Sequence, residues 1–391
     1  MMTINETNAG FYSGIGKQNP DEVTLNFPER DSLTEPSKYF APTDLAEAVN
    51  VALTLGLPLL ITGEPGCGKS QLAYSLAWEL KLPGKPVKFT VKSDTQSRDL
   101  FYSFDTLGRF RAFRDDGKGK IDSRQFLRFE ALGLAILRAL GRKEIARIDE
   151  GLARYLEKIV DPDPQQTVVL IDEIDKAPRE VPNDILNEIE NLEFDIPELY
   201  EAEKEESLVL KEKKLIALKE SSKRPIIIIT SNRERELPEA FLRRCVYFHL
   251  ELPPYRDIQT QTDETGNGNS DSKSQSRRIV TIEEIVEERL GITIRKHAQD
   301  TRNSDKSVWA GCISFFACLR ADRLLQKPPS TAELLSWLQL LHKHYKDDID
   351  HKQVKDFDPY IISSAKVILL KHQEDQNRAQ ALYKDWLKQT T

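Results

Sequence analysis

The sequence predicts an α/β fold, a parallel sheet flanked by helices, followed by a small all-α domain, and three features predict it. Short, nearly unbroken apolar runs at 58–62 (PLLIT), 87–91 (VKFTV), 167–171 (TVVLI) and 226–230 (IIIIT) alternate with helical patterns. Runs of that length and content suit strands buried on both faces of a parallel sheet. A glycine-rich segment, Gly63 to Ser70, stands between the first run and the helical stretch SQLAYSLAWEL. From Val280 onward the periodicity is helical, with IEEIVEERL, SVWAGCISFFACLRADRLL, STAELLSWLQLLHKHY and a charged tail.

Taken in order, residues 1–35 are polar and aperiodic, which predicts a flexible N-terminal arm. A helix over 44–55 should put Leu45, Val49, Val51, Ala52 and Leu55 on one face, with Thr43 or Asp44 as its cap. The basic stretch 108–120 (GRFRAFRDDGKGK) reads as a solvated loop, with a loop facing a ring pore or a polyanion as the alternative, and 200–224, dominated by Glu and Lys, as a helical or hairpin insertion. Residues 260–278 carry almost no apolar side chains, so a disordered linker is expected over 253–278. That divides the chain into an α/β domain at 36–252 and a helical domain at 279–391, the latter with Trp309, Phe315, Phe316, Leu319 and Leu324 in its core.

A chain of 391 residues is long enough for about two domains. With 39% hydrophobic and 30% charged residues the composition is globular rather than fibrous. The net charge of −7 argues against a protein whose main surface grips a phosphate backbone, which requires a basic face. Cys67, Cys245, Cys312 and Cys318 show no paired metal-ligand spacing, as expected of a reducing compartment. The opening MMTINETNAGFYSG lacks a leader pattern, and the longest apolar stretch, 51–61, is too short to cross a bilayer. A cytoplasmic protein without a membrane partner is the expectation.

The segment Gly63-Glu64-Pro65-Gly66-Cys67-Gly68-Lys69-Ser70 fits GxxxxGK[ST] between a strand and a helix, the context that motif requires. Its backbone amides would wrap phosphates with the helix N-terminus behind them, Lys69 would reach the β and γ oxygens, and Ser70 would ligate Mg²⁺. Gln71 continues the same helix start. The run VVLIDE ends a buried strand on Asp172 and Glu173, at the edge where open α/β sheets bind ligands. Asp172 is the expected metal ligand and Glu173 the base that polarises water. Asn232, just after the strand IIIIT, offers a neutral amide to orient that water. Arg243 and Arg244 offer guanidinium groups for charge on the γ-phosphate, with Arg244 the expected finger and Arg243 serving an interface or the same phosphate.

The order of these motifs resembles AAA+ ATPases, and within them the MoxR group. The segments that carry it are KYFAPTDLAEAVNVALTLGLPLLITGEPGCGKSQLA, RDLFYSFDTLGRFRAF, VVLIDEIDKAPREVPNDILNEIENLEFDIPEL and IIIITSNRERELPEAFLRRCVYFHL, which span most of 38–250. The helical inserts around 98–140 and the segment KPPSTAELLSWLQLL are similar to that group as well. The resemblance implies a P-loop NTPase sheet (the AAA+ core) with an all-α lid, ATP and Mg²⁺ as ligands, and ATP hydrolysis that remodels a partner protein. It also implies a ring homo-oligomer, usually a hexamer, and a partner carrying a von Willebrand A domain. Tyr39, where the family's linker approaches adenine, is the implied stacking contact. One departure stands out: where such lids carry an arginine, this chain reads Lys327-Pro328-Pro329-Ser330-Thr331. Two other readings remain open at the sequence level. One is a nucleic-acid-directed restriction or defence NTPase resembling McrB-type proteins, and the other a nucleotide-gated scaffold with little turnover.

Overall fold

The computed structural model describes residues 34–116, 122–199, 216–218, 223–255, 278–292, 294, 308–345 and 359–390. The expected arm up to residue 33, most of the charged insertion and linker residues 256–277 lie outside the described residues.

Helix α1 (Thr43–Leu55) precedes β1 (Leu59–Gly63), and α2 (Lys69–Glu79) leads to β2 (Val87–Thr90). A hairpin of β3 (Tyr102–Phe104) and β4 (Leu127–Phe129) brackets α3 (Thr106–Asp116). Helices α4 (Ala131–Leu140), α5 (Arg142–Ile148) and α6 (Glu150–Tyr155) bring the chain to β5 (Val168–Asp172). After α7 (Val181–Asn191), a short antiparallel ladder joins β6 (Glu193–Phe194) to β7 (Ile216–Ala217). Strand β8 (Ile226–Ser231), α8 (Glu239–Leu242) and β9 (Val246–Leu250) complete the α/β part. The lid then comprises α9 (Ile282–Leu290), α10 (Val308–Ala321), α11 (Thr331–Tyr345), α12 (Pro359–Leu369) and α13 (Gln373–Thr390).

The main sheet has five strands in the order β2-β5-β8-β1-β9, every neighbouring pair parallel. Its registers align Leu59 with Ile228 and Val168 with Ile226, so the strand ends that carry Gly63, Asp172 and Ser231 share one edge. Successive residues of a strand face opposite sides. Leu59, Ile61, Val168, Leu170 and Ile228 therefore pack on Leu45 and Val49 of α1 and Leu72 and Leu76 of α2. Leu60, Val169, Ile171, Ile227 and Ile229 pack on the other face with Leu132 and Ile136 of α4 and Ile185 and Ile189 of α7. The lid has a separate core around Trp309, Phe315, Phe316, Leu319 and Trp337, and Trp337 Nε1 donates to Ser364 Oγ at 3.0 Å.

Several sequence expectations need correction. Val51 and Leu55 are 47% and 60% exposed, because the buried face of α1 is formed by Leu45, Val49 and Ala52, with Ala48 and Leu53 packed beside them. Neither Thr43 nor Asp44 caps that helix; Pro42 is its N-cap residue, and the Thr43 hydroxyl instead accepts from the Arg278 amide at 2.8 Å. Strand β2 is not buried on both faces but alternates, because it lies at the sheet edge. Residues 108–116 are helical, within α3, rather than a loop. Leu324 is 70% exposed, since α10 ends at Ala321 before reaching it.

Candidate functional site

The loop after β1 is shaped by close packing. Gly63 has φ +154°, and a Cβ there would lie 2.4 Å from the Leu250 carbonyl oxygen on β9. Gly66 and Gly68 have φ of +81° and +98°, a region open to glycine at little cost. With Gly68 as N-cap, α2 starts at Lys69, and the Gln71 amide of its first turn donates to the Gly68 carbonyl at 3.1 Å. Lys69 is 6% exposed, and its ammonium donates to the Gly63 and Glu64 carbonyls at 2.8 and 2.9 Å. The ammonium is thus folded over the loop. Burial pushes the Cys67 thiol up, with the nearby Lys69 charge pulling the other way.

The acidic strand end lies against this loop. Asp172 Oδ1 accepts from Ser70 Oγ and from Thr230 Oγ1, each at 2.7 Å, and Oδ2 pairs with Lys88 Nζ at 2.6 Å. Burial alone would raise the Asp172 pKa, but hydrogen bonds from Lys88, Thr230 and Ser70 outweigh it and hold the carboxyl below its usual range. Glu173 adopts left-handed backbone, φ 64° and ψ 50°, and its amide donates to Thr230 Oγ1 at 3.0 Å. Its carboxylate accepts from Asn232 Nδ2 at 3.1 Å and from Lys176 Nζ at 2.6 Å. That bond to Glu173 raises the Lys176 pKa. Asp175, 2% exposed, accepts from the Asn232 and Glu234 amides at 3.1 and 2.9 Å and so fixes the turn that carries Asn232.

A cleft of about 1360 Å³ runs from Pro65–Gln71 and the Asp172–Glu173 edge up to the lid. Cys67, Asn232 and Tyr39 line it, whereas Gly63 and Glu64 of the same loop are not among its lining residues. Tyr39 Cε2 would lie 3.4 Å from a Cβ at Gly68, and burial raises the phenol's pKa. Arg289 of α9 also lines the cleft and donates to the Glu35 carbonyl at 2.9 Å. The structure brings Lys69, Ser70, Asp172, Glu173 and Asn232 together. It does not bring Arg243 or Arg244 to them: Arg244 Nε donates to Glu190 Oε1 at 2.7 Å, and the Arg243 side chain is 81% exposed beside Glu239. The grouped hydroxyl and carboxylate oxygens of Ser70 and Asp172 are hard donors of the kind Mg²⁺ takes.

Lys88, Thr230, Asp175, Lys176 and Arg289 escape the sequence reading. Asp175 and Lys176 sit three residues after Asp172 and Glu173, and Thr230 precedes Ser231-Asn232, so local spacing held a signal for those three. Lys88 and Arg289 come from distant segments and left none.

Residues 58–245 match the family model described as AAA domain (dynein-related subfamily). No curated protein matches the chain. Among solved structures it is similar to a "putative ATPase" from Cytophaga hutchinsonii, at 13% identity over 93% of each chain with a TM-score of 0.30, a likeness too loose to carry an argument. The parallel sheet, the glycine loop at its edge and the domain match converge: residues 58–245 form an AAA domain, and an all-α lid follows it.

Proposed function

We propose that the chain binds Mg-ATP in the cleft and hydrolyses it, and that it works as a MoxR-like ring that remodels a partner protein. One observation carries the catalytic part: Ser70, Asp172, Glu173 and Asn232 meet within hydrogen-bond distances at the edge where the glycine loop ends. The loop amides and α2 N-terminus receive phosphate oxygens, and Lys69 turns from its carbonyl partners toward the β and γ oxygens. Ser70 and Asp172 would hold Mg²⁺, which would supply Lewis-acid stabilisation of charge on those oxygens. Glu173, aimed by Asn232, takes a proton from the attacking water. Tyr39 supplies a ring for the base. Arg244, with Arg243 beside it, lies outside this cleft and is assigned to the γ-phosphate of a neighbouring subunit. A ring homo-oligomer, a hexamer by family resemblance, and a von Willebrand A partner complete the reading.

Lys69→Ala should weaken nucleotide binding on the order of 100-fold, measured by titration calorimetry, because charge-assisted bonds to the phosphates are lost. Glu173→Gln should keep that affinity while turnover falls on the order of 100- to 10,000-fold. Equal turnover in wild type and Glu173→Gln, with assembly intact, would point to the scaffold instead.

A further inference from the structure

The turn at 327–331 lacks an arginine, yet one reaches the phosphate loop from another lid helix. Arg320, in the last turn of α10, donates through Nη2 to Glu64 Oε2 at 3.0 Å and through Nη1 to the Pro329 carbonyl. Its side chain is 17% exposed, whereas that of Glu64 is 53% exposed. The same turn touches the loop independently: a Cβ on Gly66 would come within 2.6 Å of Ser330 Oγ and 3.2 Å of Ala332 Cβ. The end of α10, the turn before α11 and the tip of the phosphate loop thus meet at one place, with Arg320 bonded to both of the others. The planar guanidinium fork, fixed on one side by the Pro329 carbonyl, presents its other side to Glu64. The Glu64 carbonyl in turn accepts from Lys69 Nζ, so the residue tied to the lid also bonds the loop's lysine.

We propose that Arg320 is the positioning residue by which the lid governs how long nucleotide stays bound, clamping the lid to the phosphate loop through Glu64. This rests on the nucleotide reading above. On this proposal nucleotide leaves when the lid lifts away from the loop, and among the described residues the Arg320–Glu64 pair is the salt bridge between lid and phosphate loop that lifting breaks.

The test is stopped-flow release of a fluorescent ADP analogue from the full chain, comparing wild type, Arg320→Met, Glu64→Gln and the double variant. Each single variant should release about fivefold faster, the upper range for a partly exposed pair. The double variant should be no faster than either single one, and the chemical step of Arg320→Met in single turnover should be unchanged. Raising salt should speed release from wild type but not from Glu64→Gln, which keeps the Arg320–Pro329 bond and decides the matter if Arg320→Met does not fold. Release rates within a factor of about 1.5 of wild type, or effects that multiply in the double variant, overturn the proposal while leaving the nucleotide reading intact. Failure of wild type to bind the analogue defeats that reading instead.

Discussion

Asp172 stays ionised in a buried position because donors from three separate elements, α2, β2 and β8, converge on its two oxygens. Asp172→Asn should therefore lower stability at neutral pH by about 1–3 kcal/mol, the cost of stripping a charged acceptor from buried donors. The pH dependence has a definite sign. The folded-state pKa is depressed, so the carboxylate's contribution is complete above its ordinary value of 3.8 and fades as pH falls through the lower folded value. The difference in Tm between wild type and Asp172→Asn, followed from neutral pH downward, should hold steady and narrow only below the ordinary carboxylate range. Asp172 itself was legible, as were Lys69, Ser70, Glu173 and Asn232, because each is welded to a strand end or loop with a recognisable string. The partner that keeps Asp172 charged was not: Lys88 lies 84 residues before it, on a strand whose sequence says nothing of its neighbour.

Among elements, burial on both faces decided what could be read. Strands β1 and β5 are buried at every residue and β8 at all but its first, and each announces itself as an apolar run. Strand β9 alternates at the sheet's edge, with His249 and Tyr247 among its residues, and nothing in VYFHL told it from a loop. Yet β9 disciplines the site, since its Leu250 carbonyl occupies the space a side chain at position 63 would need. Gly63→Ala should cost about 2 kcal/mol or more, combining overpacking with backbone strain, and should show as a lowered Tm. Helix α3 gives the opposite expectation. Leu107, Phe110 and Phe113 are each close to 70% exposed, with Arg109, Arg111 and Arg114 interspersed, which is why the stretch read as a solvated loop. Phe110→Ser or Phe113→Ser should leave unfolding free energy within about 0.5 kcal/mol of wild type in denaturant titrations.

Among the described residues apolar cores form on each face of the sheet and in the lid, and the cleft lies where the sheet's edge and the lid meet. Their division was readable from the change of apolar periodicity near Val280; their contact through Ser330, Arg320 and Glu64 was not, because it joins residues more than 250 positions apart. A ligand held by both parts stabilises the folded chain as a unit. Mg-ATP at 100 times its Kd should add about 2.7 kcal/mol in scanning calorimetry, and Lys69→Ala at the same ligand concentration should keep only about 0.4 kcal/mol of that gain. The left-handed backbone of Glu173 has a bearing on any attempt to toughen this protein. A side chain with a Cβ in that region carries a penalty on the order of 1–3 kcal/mol, which glycine avoids and asparagine softens. Laboratory evolution that rewarded survival of heat alone would be drawn toward Glu173→Gly or Glu173→Asn, and would harvest sturdier molecules shorn of the carboxylate assigned to the lytic water.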